Sequence, residues 1–235
     1  MSGTSLEEFL RPVSAALGHA GVPTGAKAAP DPTRGLGLEA FAGATVAELA
    51  DRFEAEASAL GIRVTRARAG EVGAAVVEQI AHVGGARVVY ADDPWADDWG
   101  LPGALEAAGL SATRWDATDP QTSIAACERA DVGVTFPLAG VAYSGTLAEV
   151  ADERCGRSVS LLPVTHVAVL RTCDIVGRIH TLLADLEQHV RSGRADVLPS
   201  SLTFVSGPSN TADIELVRVV GVHGPINAAV VLVEA

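Results

Sequence analysis

The sequence predicts an α/β domain built on a mainly parallel sheet. Three observations carry that prediction. Helix and strand signals alternate from about residue 45 to residue 135, the pattern of βα units whose helices cover a parallel sheet. The strand-like runs, such as Arg87–Ala91 and Val132–Thr135, are short, and turn residues bound them. Hydrophobic residues make up 48% of the 235 positions and aromatics only 4%, so a sizeable core must be filled by Ala, Val, Leu and Ile.

Taken in order, Leu6, Phe9, Leu10, Val13 and Leu17 recur at helical spacing and predict a helix over about 5–20. A Gly-, Pro- and Ala-rich stretch follows to Gly37, so residues 1–37 read as a helix and flexible linker, and 38–235 as the main domain. Thr45 and Glu48 form a capping box that starts a helix ending before Gly61. Ile62–Arg66 alternates as a strand, 71–83 is helical, and Arg87–Ala91 is a buried strand closed by Asp92-Asp93-Pro94. Leu101–Ala108 is a helix, Ala112–Trp115 a strand, Thr122–Ala130 a helix and Val132–Thr135 a strand. The runs at 141–143, 146–150, 158–162 and 166–170 then follow with no helix between them. They predict a β-meander or hairpins within the larger sheet. A long helix is expected over 174–191, with late strands at 202–205 and 228–233.

Bulk charge excludes some functions. A net charge of −12 argues against nucleic-acid backbones and anionic membrane surfaces as partners. Cys127, Cys155 and Cys173 are odd in number and far apart, which favours reduced thiols and a cytoplasmic location over a disulfide framework. The acidic N-terminus has no apolar core of a signal peptide, and no apolar run approaches the ~18 residues of a membrane span.

The candidate site centres on Ser206-Gly207-Pro208-Ser209-Asn210-Thr211-Ala212-Asp213-Ile214-Glu215. Read as a strand-to-helix turn, it would offer backbone N–H groups and hydroxyls to an anion. Asp213 and Glu215 are acid–base candidates there, with helix capping as the structural alternative. Gly207–Thr211 nearly matches a G-x-S-x-G nucleophile elbow, but Thr211 replaces the last glycine. His223, between Gly221 and Gly224 in a second turn, is a candidate general base. Tyr143-Ser144-Gly145-Thr146 is a hairpin turn or a carboxylate-binding turn. His166 reads as a satisfied structural histidine, and none of the six histidines has metal-ligand spacing. Gly35–Ala40 matches G-x-G-x-x-G/A formally but lacks the preceding strand that a dinucleotide loop needs, and Gly21–Lys27 fails as a phosphate loop.

Several of these segments, in order, resemble the LUD domain of the lactate-utilisation protein C family. They are Gly133–Thr135, Ser144–Leu147, Arg157–Pro163 with His166, Ser206–Ser209, Thr211–Glu215 and Gly221–Pro225. The resemblance implies a fold like that of ribose-5-phosphate isomerase, CoA transferases and 5-formyltetrahydrofolate cyclo-ligase. It also implies an accessory part in oxidising L-lactate to pyruvate beside two iron–sulfur partner proteins. With no cysteine cluster the chain should hold no cofactor of its own. The site would bind a small anion through Ser144, Gly145, Thr146, Ser206, Gly207, Ser209, Asn210 and Thr211, with Asp213, Glu215 and His223 in catalysis. Two positions depart from the family pattern: Tyr143 stands where a glutamate is usual, and Asn210 where an arginine is usual. The rival readings are a stand-alone enzyme of the same fold, with Glu149 or Glu215 as the nucleophile of a CoA transferase, and an interaction protein with a vestigial pocket.

Overall fold

A computed structural model describes residues 5–18, 21, 41–191, 199–212 and 218–234. The chain divides into two compact units, 1–40 and 41–235. In the first, α1 (Leu6–Ala16) is capped by Ser5, whose hydroxyl accepts from the Glu8 N–H while Glu8 accepts from the Ser5 N–H. The linker and the glycine motifs at 21–27 and 35–40 lie outside the described residues, apart from Gly21.

The second unit is organised by a six-stranded, wholly parallel sheet. Its strands are β1 (Arg63–Arg68), β2 (Arg87–Tyr90), β3 (Ser111–Arg114), β4 (Val132–Thr135), β7 (Thr165–Arg171) and β12 (Asn227–Glu234), in spatial order β1-β12-β7-β4-β2-β3. Right-handed packing of a parallel sheet requires crossovers, and helices supply most of them. They are α3 (Val72–His82), α4 (Pro94–Asp98), α5 (Leu101–Ala107) and α6 (Pro120–Arg129), while α2 (Val46–Ala59) precedes β1. The capping box at Thr45 and Glu48 forms as the sequence predicts.

Strand alternation sorts the core into two layers. Val167, Val169, Ala229, Val231 and Val233 face α3 and α5, while Ala168, Leu170, Ala228, Val230 and Leu232 face α2.

The second face also carries a separate four-stranded sheet, which the sequence reading had merged into the first. Here β5 (Ala139–Val141), β6 (Thr146–Ala151), β8 (Ile175–Val176) and β9 (Ser201–Val205) run in order β8-β5-β6-β9, with β6 antiparallel to both neighbours. The expected strand at 158–162 is instead a short helix, α7 (Arg157–Leu161), because Gly156 opens it against Trp115 and Pro163 ends it. The run at 166–170 belongs to the central sheet rather than to a meander. The helix expected from 174 begins later, as α8 (Ile179–Arg191), because Ile175–Val176 pairs with β5 first. Finally, β10 (Asn210–Ala212) and β11 (Arg218–Val220) form an antiparallel pair. All three cysteines are free thiols. Among the described residues no helix is long and apolar enough to cross a membrane.

Candidate functional site

The central strand order reverses between β2 and β4. From β2 the chain runs outward to β3, and from β4 it proceeds towards β7. Ligands of open parallel sheets collect outside the carboxyl ends of the strands at such a reversal. A cleft of about 200 Å³ lies there. Its lining includes Ala91 and Asp93 beyond β2, Phe136 beyond β4, Arg171 at the end of β7, and Glu149 on β6.

One wall is aromatic. Trp95 and Trp99 stack with ring centroids 4.8 Å apart, Phe136 follows at 6.0 Å from Trp99, and the Arg171 guanidinium lies 4.8 Å over the Trp95 ring. Arg171 is held further by a two-bond pair with Asp174, at 2.5 and 2.7 Å. Arg154, half exposed, is loosely paired, at 3.2 Å from Asp152 and 3.7 Å from Asp93.

Glu149 is the unusual member. On β6 it shares a face with Leu147, which packs into the layer between the two sheets, so the period of two aims a carboxylate into apolar surroundings. Burying that charge without partners would be costly. Thr135, the last residue of β4, donates its hydroxyl to Glu149 Oε1 at 2.8 Å. His166 Nε2 lies 2.7 Å from Thr135 Oγ1 and 3.3 Å from Glu149 Oε1. The threonine has one hydroxyl proton, so when Glu149 Oε1 accepts it, His166 Nε2 faces Thr135 Oγ1 as the donor. Cys155 lines the same cleft. Burial first, and then the charges of Glu149 and Asp152, push its thiol well above the usual range, so it is not poised as a nucleophile.

The turn residues singled out in the sequence fall elsewhere. The turns at 144–146 and 206–211 do come together: Thr146 Oγ1 lies 2.7 Å from both Ser144 Oγ and Ser206 Oγ. However, Asn210–Ala212 is a strand, so the second turn joins two strands and presents no helix N-terminus. The Ser209 N–H is spent on Pro225 O, and Asn210 Nδ2 donates to Pro208 O. Thr211 pairs with Val219 across β10–β11. Ser209 and His223 meet through the His223 backbone N–H, which donates to Ser209 Oγ at 3.3 Å, and not through the imidazole. Gly145 and Gly207, both at positive φ, pack against the backbone at the end of α2. Asp213 and Glu215 lie outside the described residues.

Thus Thr135, Glu149 and His166 form a buried hydrogen-bonded set, whereas the sequence reading had set them apart: a strand end, a candidate nucleophile and a structural histidine. The available signal was an acid inside the apolar run Thr146–Ala151.

A family model described as "LUD domain" matches residues 50–233. The chain belongs to the LUD domain family. That span covers the central sheet up to Val233 of β12 and every residue lining the cleft. Among curated relatives, the lactate utilization protein C of Bacillus licheniformis is 41% identical over 164 residues, 68% of this chain and 68% of that protein. The lactate utilization protein C of Geobacillus sp. is 34% identical over 197 residues, 82% and 81% of the two chains. The LUD domain chain is also similar to a crystal structure of a DUF162 family protein from Deinococcus radiodurans. The TM-score is 0.59 at 27% identity, covering 80% of this chain and 98% of that one.

Proposed function

We propose that this LUD domain protein is an accessory subunit of a system that oxidises L-lactate to pyruvate, and that it binds a small carboxylate in the cleft at the strand ends. The reading rests on relatives named for lactate utilization and on one observation: an exposed, loosely paired Arg154 faces a cleft whose floor is the buried carboxylate of Glu149. A guanidinium at that distance from its own acids can exchange one of them for a ligand carboxylate in a two-pronged pair. Oxidation of lactate releases two electrons and two protons. In this reading the electrons pass to iron–sulfur partner proteins, and this chain holds substrate or product. The topology is read as that of the ribose-5-phosphate isomerase and CoA-transferase group, and the cell compartment as the cytoplasm.

Trp95 and Trp99 report on the cleft directly. Titration with L-lactate or pyruvate should change tryptophan emission and saturate, and Arg154→Gln should weaken the apparent Kd by about tenfold or more. The alternative ligand position is the joined turns, favoured by the Ser144–Thr146–Ser206 hydroxyl chain, with Ser209 and His223 beside them. Ser206→Ala would then weaken binding while Arg154→Gln left it unchanged, and that pattern would refute the cleft assignment. A stand-alone CoA-transferase reading is favoured by the placement of Glu149 in the cleft. It requires a glutamyl–CoA thioester detectable by mass spectrometry after incubation with acyl-CoA.

A further inference from the structure

We propose that a carboxylate enters this cleft together with a proton, which the Glu149–Thr135–His166 set retains. The proposal rests on the reading that the cleft binds a small carboxylate, and it deepens that reading by naming what the site admits.

The charges facing the cleft are Asp93, Glu149, Asp152 and Asp174 against Arg154 and Arg171. A ligand carboxylate adds to an excess of negative charge beside an apolar wall of Trp95, Trp99 and Phe136, where water screens poorly. Arg171 is already paired with Asp174 through Nε and Nη2, so its charge is largely spent within the cleft's own set.

The buried set can relieve the excess. With Glu149 ionised, the Thr135 hydroxyl points at the carboxylate and His166 donates from Nε2 to Thr135 Oγ1. One more proton then has two places to go: the Glu149 carboxyl, or the other ring nitrogen of His166, which makes an imidazolium 3.3 Å from Glu149 Oε1. Either removes one unit of negative charge from the floor of the cleft without moving a backbone atom. His166 is 2% exposed, and its Nε2 faces Thr135 and Glu149, so the proton sits within the buried set. Glu149 thereby sets what the cleft takes: a small 2-hydroxy- or 2-oxo-carboxylate that arrives with one proton.

The test is calorimetric titration of pyruvate and L-lactate into the full chain between pH 5.5 and 8, repeated at each pH in two buffers that differ in ionisation heat and are neither phosphate nor carboxylate. The buffer dependence of the heat gives the protons taken up. The expected value approaches one per ligand, and the affinity should rise by up to about tenfold per unit fall in pH, as linkage requires. Glu149→Gln, which removes the charge at constant size, should bind with near-zero proton uptake and a flat pH profile. Wild-type binding with no proton uptake at any pH overturns the proposal and leaves the carboxylate site standing. Absence of binding across the whole pH range overturns both. The wild-type measurement decides even if the variant does not fold.

Discussion

Replacing Thr135 by valine removes a hydroxyl and almost no volume, so it isolates what that hydroxyl does. The side chain is fully buried, gives a 2.8 Å bond to Glu149 Oε1, and accepts one of 2.7 Å from His166 Nε2. A hydrogen bond to a charged acceptor contributes about 1.5–3 kcal/mol, and a buried donor left unpaired costs about 1–3 kcal/mol. Summed without relaxation that is about 2.5–6 kcal/mol. Glu149 and His166 already lie 3.3 Å apart and can close directly on each other, which recovers part of the loss. The expected destabilisation is therefore about 2–4 kcal/mol. Thr135→Ser makes the opposite change, keeping the hydroxyl and deleting a buried methyl for about 1–1.5 kcal/mol of transfer and cavity cost. Urea unfolding of both variants, followed by far-UV circular dichroism, should rank valine as the worse substitution although it is the better fit by volume. A Thr135→Val protein within 0.5 kcal/mol of wild type, or a serine variant less stable than the valine one, would refute the account of this buried set.

Two further outcomes follow from backbone and surface features. Gly145→Ala should cost about 2–4 kcal/mol in thermal or urea unfolding, because at φ +58° its Cβ would sit 2.6 Å from the Glu56 carbonyl carbon and 2.7 Å from Ala57 Cα. Gly84→Ala, at φ +67° but facing open space, should cost only about 1–2 kcal/mol of conformational strain. Asp131 accepts from the Arg87 guanidinium and from the Arg87 and Ala86 N–H groups, and these bonds hold its carboxyl well below the usual range in the folded state. The unfolded chain then binds this proton more readily than the folded one. The stabilisation is full above the unfolded carboxylate value near 4 and is lost as pH falls below it. Asp131→Asn should cost about 1–3 kcal/mol at pH 7, and the gap to wild type should narrow below pH 4 in a pH series of unfolding curves.

Much of the fold was legible because its signals are local. The Thr45–Glu48 box, the apolar runs of β2, β4 and β12, and the alternation of helices and strands each depend on neighbours within a few residues. What escaped depends on pairing across distance. Nothing in Val141–Val150 says whether those strands join the parallel sheet or form their own, since both choices bury the same faces. Ser158–Leu162 alternates like a strand, yet it folds as a helix because Gly133 on β4 lets α7 approach so closely that any side chain there would meet the Val159 carbonyl. The buried set was hidden for the same reason. Thr135, Glu149 and His166 span 31 residues and three strands, so their meeting is a property of the sheet order rather than of any motif. The glycine- and serine-rich turns gave the clearer signal in the sequence. In the structure their glycines brace the end of α2.

That division bears on Tyr143 and Asn210, where the family resemblance leads one to expect a glutamate and an arginine. Tyr143 lies in the first turn, and its ring receives the Arg178 guanidinium at 3.9 Å, so a cation–π contact holds the arginine where a carboxylate would otherwise pair with it. Asn210 closes the second turn on Pro208 O at 2.8 Å. Neither residue lines the cleft at the strand ends. Both residues therefore fasten the turns, and the charges that face the cleft lie elsewhere, at Asp93, Glu149, Asp152, Arg154, Arg171 and Asp174. With the ligand in the cleft, Tyr143→Glu should leave the Kd for lactate or pyruvate unchanged, whereas a ligand held by the joined turns would bind more weakly once a negative charge stood beside Ser144.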